Sequence, residues 1–115
     1  MKNEIVIPVL NDEYKVIFCW GNPAEVQKVM KKHHYPLYRV EASDFSGRGV
    51  CFYADGCYPI ITMPNFPETP EEIGTLAHEA VHAVLDILIK IEATECEEII
   101  AHSVGAIVRK VMSTK

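Results

Sequence analysis

Residues 69–88 read Thr-Pro-Glu-Glu-Ile-Gly-Thr-Leu-Ala-His-Glu-Ala-Val-His-Ala-Val-Leu-Asp-Ile-Leu. The stretch opens as a helix start. Thr69 is suited to cap, Pro70 to the first turn, and Glu72, three residues after the threonine, closes a capping box. Apolar residues follow at Ile73, Leu76, Ala77, Ala80, Val81, Val84, Leu85 and Leu88, the spacing of a broad buried stripe on one helix. His78 and His82 lie inside this helix. Residues four apart on a helix stand about 40° apart around the axis and one turn apart along it, so the two imidazoles share a face. They can meet one metal ion at about 2.0–2.1 Å. Glu79 lies about 100° round from His78. It is therefore placed to face a water on the metal rather than to join the ligands, which makes it the candidate general base. The competing expectation is two hydrogen-bonded histidines on an ordinary helix.

A catalytic zinc takes three protein ligands and a water. Downstream, Thr94-Glu95-Cys96-Glu97 reads as another capping box. It predicts a last helix to about Met112, with Ile100, Val104, Ile107, Val108 and Val111 on its buried side. Candidates for the third ligand are Glu95, Glu97, Glu98 and His102. Glu97 is expected to bond the cap amide, and Glu95 to favour the helix dipole in the first turn. Glu98 is thus favoured. His102, one turn on, is its rival or a hydrogen-bonding partner behind it. Small Ala101 and Gly105 on the same face are expected to let another helix approach closely. Asp86, one turn after His82, can be a further hydrogen-bonding partner behind the ligands, with a solvent-facing aspartate as the favoured expectation.

Upstream, Ile5–Leu10 and Tyr14–Trp20, rich in β-branched and aromatic residues, predict a hairpin turning at Asn11-Asp12. Asn22-Pro23-Ala24-Glu25 starts a helix that is expected to reach about His34, before Pro36. Its end carries Lys28, Lys31, Lys32, His33 and His34, read as a solvated helix terminus. Leu37–Ala42 predicts a strand and residues 43–49 a loop. Val50–Ala54 and Cys57–Met63 flank Asp55-Gly56, a hairpin signal. The order predicts one α+β domain over residues 1–115, with its last two helices packed together.

The 115 residues are about half apolar, enough for one core. The net charge of −5 argues against nucleic acid as a partner. No apolar run approaches the roughly 20 residues of a membrane span, and the start lacks signal-peptide features, so a cytoplasmic location is expected. The four cysteines form no Cys-x-x-Cys pair and are expected to be reduced and mostly buried, with no Cys51–Cys57 bridge.

His78-Glu79-Ala80-Val81-His82 followed by a glutamate on the next helix resembles the gluzincin branch of the zincin metallopeptidases. The chain is most similar to small phage- and prophage-encoded zincin-like proteins, through Thr75-Leu76-Ala77-His78-Glu79 and Glu98-x-x-Ala101-x-x-x-Gly105. It departs from them at His102, where that family often has an aromatic. The resemblance is specific over about residues 69–110. It implies zinc ligands His78, His82 and Glu98, with Glu79 as general base. It also implies a small mixed or antiparallel sheet with a supporting helix, and an edge strand that pairs with extended substrate. Val50–Ala54 or Cys57–Met63 is suited to that pairing. Tyr53 or Tyr58 can supply an oxyanion donor, although a plain sheet aromatic is the default for both. Larger gluzincins have a second lobe after the glutamate helix, so a reduced specificity pocket is expected here.

The expected function is that of a minimal zinc metallopeptidase acting on a peptide or protein. The alternative is a non-enzymatic protein on a zincin scaffold, with structural zinc or a bound partner.

Overall fold

The computed structural model of the chain describes residues 3–36, 48–92 and 96–114. Its elements are β1 (Glu4–Val9), β2 (Tyr14–Trp20), α1 (Pro23–Lys32), β3 (Val50–Phe52), β4 (Ile60–Met63), α2 (Pro70–Lys90) and α3 (Glu97–Ser113). The strands form one mixed sheet in the order β1-β2-β4-β3. β1 and β2 pair antiparallel, β2 and β4 parallel, and β3 and β4 antiparallel. The fold class is α+β.

The pleat distributes the side chains between two cores, because successive residues of a strand point to opposite faces. Val16 and Phe18 of β2, with Ile61 and Met63 of β4, pack against Leu76, Ala80 and Val84 of α2 and against Ile107 and Val111 of α3. The alternate residues Ile17, Cys19, Ile60 and Phe52 face Val26, Val29 and Met30 of α1. The sheet is therefore sandwiched, with α1 on one side and the packed pair α2 and α3 on the other. All four cysteines are free, with Cys19 and Cys51 buried.

Local signals acted largely as expected. Asn22 with Glu25, and Thr69 with Glu72, both form complete capping boxes. The first turn holds Leu10, Asn11 and Asp12 at positive φ. The Asp55-Gly56 turn forms, closed by the Cys57 amide on the Ala54 carbonyl at 3.1 Å, with Gly56 at φ 74°. The strands around it are shorter than the apolar runs, however, so residues 53–59 form a connector that carries Tyr53 and Tyr58 outside the sheet.

Other expectations change. α1 stops at Lys32, because His33 caps its end and His34 turns to φ 61°. That end is not merely solvated: Lys32 and His33 both bind the Glu4 carboxylate of β1, His33 at 2.8 Å. α3 begins at Glu97 with Cys96 as N-cap and no side-chain cap bond. Glu97 is thus the first helical residue. Thr94 and Glu95, the predicted strand 37–42 and most of the predicted loop lie outside the described residues. Among the described residues, a Cβ added at Gly105 would meet only the Arg109 side chain, so no close helix approach is seen there. Ser103, Ile107 and Val111 are the buried residues of α3 instead.

Burial alone would raise the Glu4 carboxyl, but its bonds to Lys32 and His33 outweigh that and hold it below the ordinary carboxylate value. A depressed folded value stabilises the fold above the unfolded value and loses that contribution as pH falls through the folded one. Glu4→Gln is therefore expected to cost up to about 1 kcal/mol at pH 7, the scale of a partly exposed ion pair. Urea melts across pH should show the difference shrinking below about pH 4. A difference independent of pH would remove the ion pair from the account.

Candidate metal centre

α2 buries Leu76, Glu79, Ala80, Ala83, Val84, Ile87 and Leu88. This stripe is rotated from the expected one. Ala83 and Ile87 turn inward, and Val81, 37% exposed, turns outward. The rotation follows from the two cores: the sheet and α3 together claim one side of α2, and the opposite side carries His78, Val81 and His82.

On that outer side the two imidazoles converge, with His78 Nε2 and His82 Nε2 3.3 Å apart. Two nitrogens each about 2.0–2.1 Å from one ion, at a tetrahedral angle, stand about 3.3–3.4 Å apart. The rings also meet edge to face, with centroids 4.9 Å apart, so the separation suits a shared ion and a hydrogen-bonded imidazole pair alike. A Glu79 carboxylate oxygen lies 3.9 Å from His78 Nε2, and Glu79 is 8% exposed. Glu79 is thus a buried neighbour of two exposed histidines.

Among the described residues, no group of three His, Cys, Asp or Glu side chains converges as a metal site. Glu98 lies exposed in the first turn of α3. It borders a concavity with Leu10, Asn11 and Asp12 of the first turn, and His102 borders the same concavity. His78 and His82 are thus brought together, with Glu79 beside them, while Glu98 and His102 share a wall elsewhere.

The edge strand is placed beside the pair. β4 lies between β2 and β3, so of the two segments suited to pair with substrate only Val50–Phe52 is outermost among the described residues. A Cβ at Gly49 would lie 2.9 Å from Thr75 Cγ2, so β3 enters the sheet against the turn of α2 that precedes His78. The Cys51 thiol is pushed up to about 12 by burial, against a hydrogen bond from Tyr53. At neutral pH it is a thiol rather than a thiolate. Burial also raises the Tyr53 hydroxyl, and the nearby Cys51, Asp86 and Glu79 add to the effect. Tyr53 is therefore a proton donor at the end of β3. It is 46% exposed on the connector, not a sheet aromatic.

Sequence reasoning missed how this connector is held. Lys90 Nζ donates to the Cys57 carbonyl at 3.0 Å and the Ala54 carbonyl at 3.3 Å. It also pairs with Asp86 at 2.9 Å. Asp86 is therefore not solvent-facing; its side chain is largely buried beneath the lysine. From the other side, the Tyr35 hydroxyl reaches the Phe52 and Tyr58 carbonyls. The i,i+4 spacing of Asp86 and Lys90 was the available signal.

Among the described residues, no helix is long and apolar enough to cross a membrane. Compared with known proteins, the chain matches no family model, no curated protein and no solved structure.

Proposed function

We propose that this chain is a minimal zinc metallopeptidase of zincin type, acting on a peptide or protein in the cytoplasm. The observation that carries the reading is the 3.3 Å separation of His78 and His82 Nε2, with the buried Glu79 carboxylate 3.9 Å from one of them. His78 and His82 would hold the ion. Glu98 is the proposed third ligand, on the family resemblance, and the reading requires the first turn of α3 to come to the pair. Bound there, zinc supplies a Lewis acid and an acidified water.

The chain's own groups supply the rest. Glu79 takes the proton of the attacking water on its carboxylate and returns it to the leaving amine. On the family resemblance, β3 is the strand that would hold the substrate backbone. The Tyr53 hydroxyl donates a hydrogen bond to the developing oxyanion.

The zinc-to-protein ratio is the first test, on chain purified without chelator or affinity metal and measured again after zinc addition and desalting. A ratio near one is expected. A ratio near zero in both samples would leave the histidines structural and end the peptidase reading.

A further inference from the structure

A concavity of about 700 Å³ lies away from the histidine pair. On the α3 side of the sheet it is lined by Ile5, Trp20 and Phe66, and on the α1 side by Glu4, Val6 and Lys32. A cavity lined from both faces of a sheet lies at a strand edge or at the ends of strands. The edge here is the outer side of β1, which has no neighbouring strand among the described residues.

The register gives the state of that edge. The Trp20 amide donates to the Asn3 carbonyl. Asn3 and Trp20 are therefore a hydrogen-bonded pair, and the alternation of an antiparallel ladder makes Ile5–Phe18 the next one. The backbone groups of Glu4, Val6 and Pro8 then point outward. The Ile17 amide agrees, because it turns away from β1 to the Pro59 carbonyl at 3.0 Å. Pro8 has no N–H and stops pairing at that point. Glu4 and Val6 leave two donors and two acceptors in a row beside an aromatic floor. In that floor Trp20 and Phe66 meet edge to face, with centroids 5.0 Å apart. Val6 is 42% exposed.

We propose that the outer edge of β1 binds a short extended peptide segment, in which a β-branched residue is followed by a bulky apolar one. Paired antiparallel, the β-branched residue lies opposite Val6 and exchanges both backbone bonds with it. The bulky side chain lies opposite Ile5, on the Trp20 and Phe66 floor. The residue after it exchanges backbone bonds with Glu4, whose carboxylate is already bound by Lys32 and His33. A small polar side chain is expected there.

Trp20 is the sole tryptophan, so its fluorescence reports occupancy directly. The probe is acetyl-Thr-Val-Leu-Ser-amide, titrated into the full chain with EDTA present, so that the result does not depend on the metal reading. A saturable change is expected. N-methylation of the valine amide and replacement of leucine by serine should each weaken binding at least about tenfold. Val6→Pro, which removes the outward N–H, should do the same, and the N-methyl peptide on wild-type protein covers the case in which that variant does not fold. Equal binding of the N-methyl peptide would make this a plain apolar pocket and overturn the proposal. So would the lack of any saturable change up to millimolar peptide. Sedimentation supplies a third arm: a dimer that forms through β1 and excludes the peptide would assign the edge to a second copy instead.

Discussion

Replacing Glu79 by glutamine is expected to leave zinc binding intact and to lower peptide hydrolysis by about 10²–10⁴-fold, the usual contribution of a positioned general base. The substitution keeps the shape of a side chain that is only 8% exposed, so the core around Ala80 and Ala83 should not reorganise. It removes the acceptor that takes the water's proton and the acid that returns it. The informative measurement pairs zinc content with the rate on a peptide library. Intact zinc with lost hydrolysis places Glu79 in proton transfer. Retained hydrolysis would take that role from it, and loss of both would mean that the carboxylate helps to hold the ion.

The helix that carries the site was legible because its start, its stripe and its histidines are all local features. A capping box needs three residues and a helical face needs one period, and both survive any tertiary arrangement. The direction in which the histidines face was less legible. Counting apolar residues placed Val81 in the core, yet it stands outside with the histidines, because which part of a broad stripe is buried depends on what packs against it. The third ligand depends still more on tertiary placement. Its position turns on where α3 begins, and among the described residues that helix starts at Glu97 with Cys96 as its cap, while Thr94 lies outside them. The clamp on the connector was out of reach for the same reason. Tyr35 and Lys90 find backbone carbonyls 17 to 36 residues away in sequence, and no local pattern encodes a bond to a carbonyl.

Sheet order shows how a local reading becomes a functional one. Two segments were suited to pair with an extended substrate, and both read as apolar runs around Asp55-Gly56. The parallel pairing of β2 with β4 separates them, by enclosing β4 and leaving β3 outermost among the described residues. Gly49 also matters here, because its missing Cβ lets the start of β3 lie against Thr75, one turn before His78. A side chain there would force β3 and Thr75 apart.

Replacing His82 by alanine is expected to abolish tight zinc binding while leaving the metal-free fold almost unchanged. His82 is exposed, and its one hydrogen-bonding contact among the described residues is the 3.3 Å approach to His78, too long to contribute much. Exposed substitutions away from special features usually stay within about 0.5 kcal/mol. The wild-type chain should behave differently when zinc is added. A ligand at about 100 times its dissociation constant stabilises the state that binds it by about 2.7 kcal/mol. For a domain of this size that corresponds to a rise in melting temperature of about 10 °C. Metal binding also needs the imidazole nitrogens free of protons, so the rise should shrink as pH falls. Thermal melts of both proteins, with EDTA and with zinc, separate the two accounts of the pair. A zinc-dependent rise in wild type that is lost in His82→Ala identifies a metal centre. Equal destabilisation of the variant under both conditions, with no response to zinc in either protein, identifies a hydrogen-bonded pair, and Glu79 would then have no ion beside which to act.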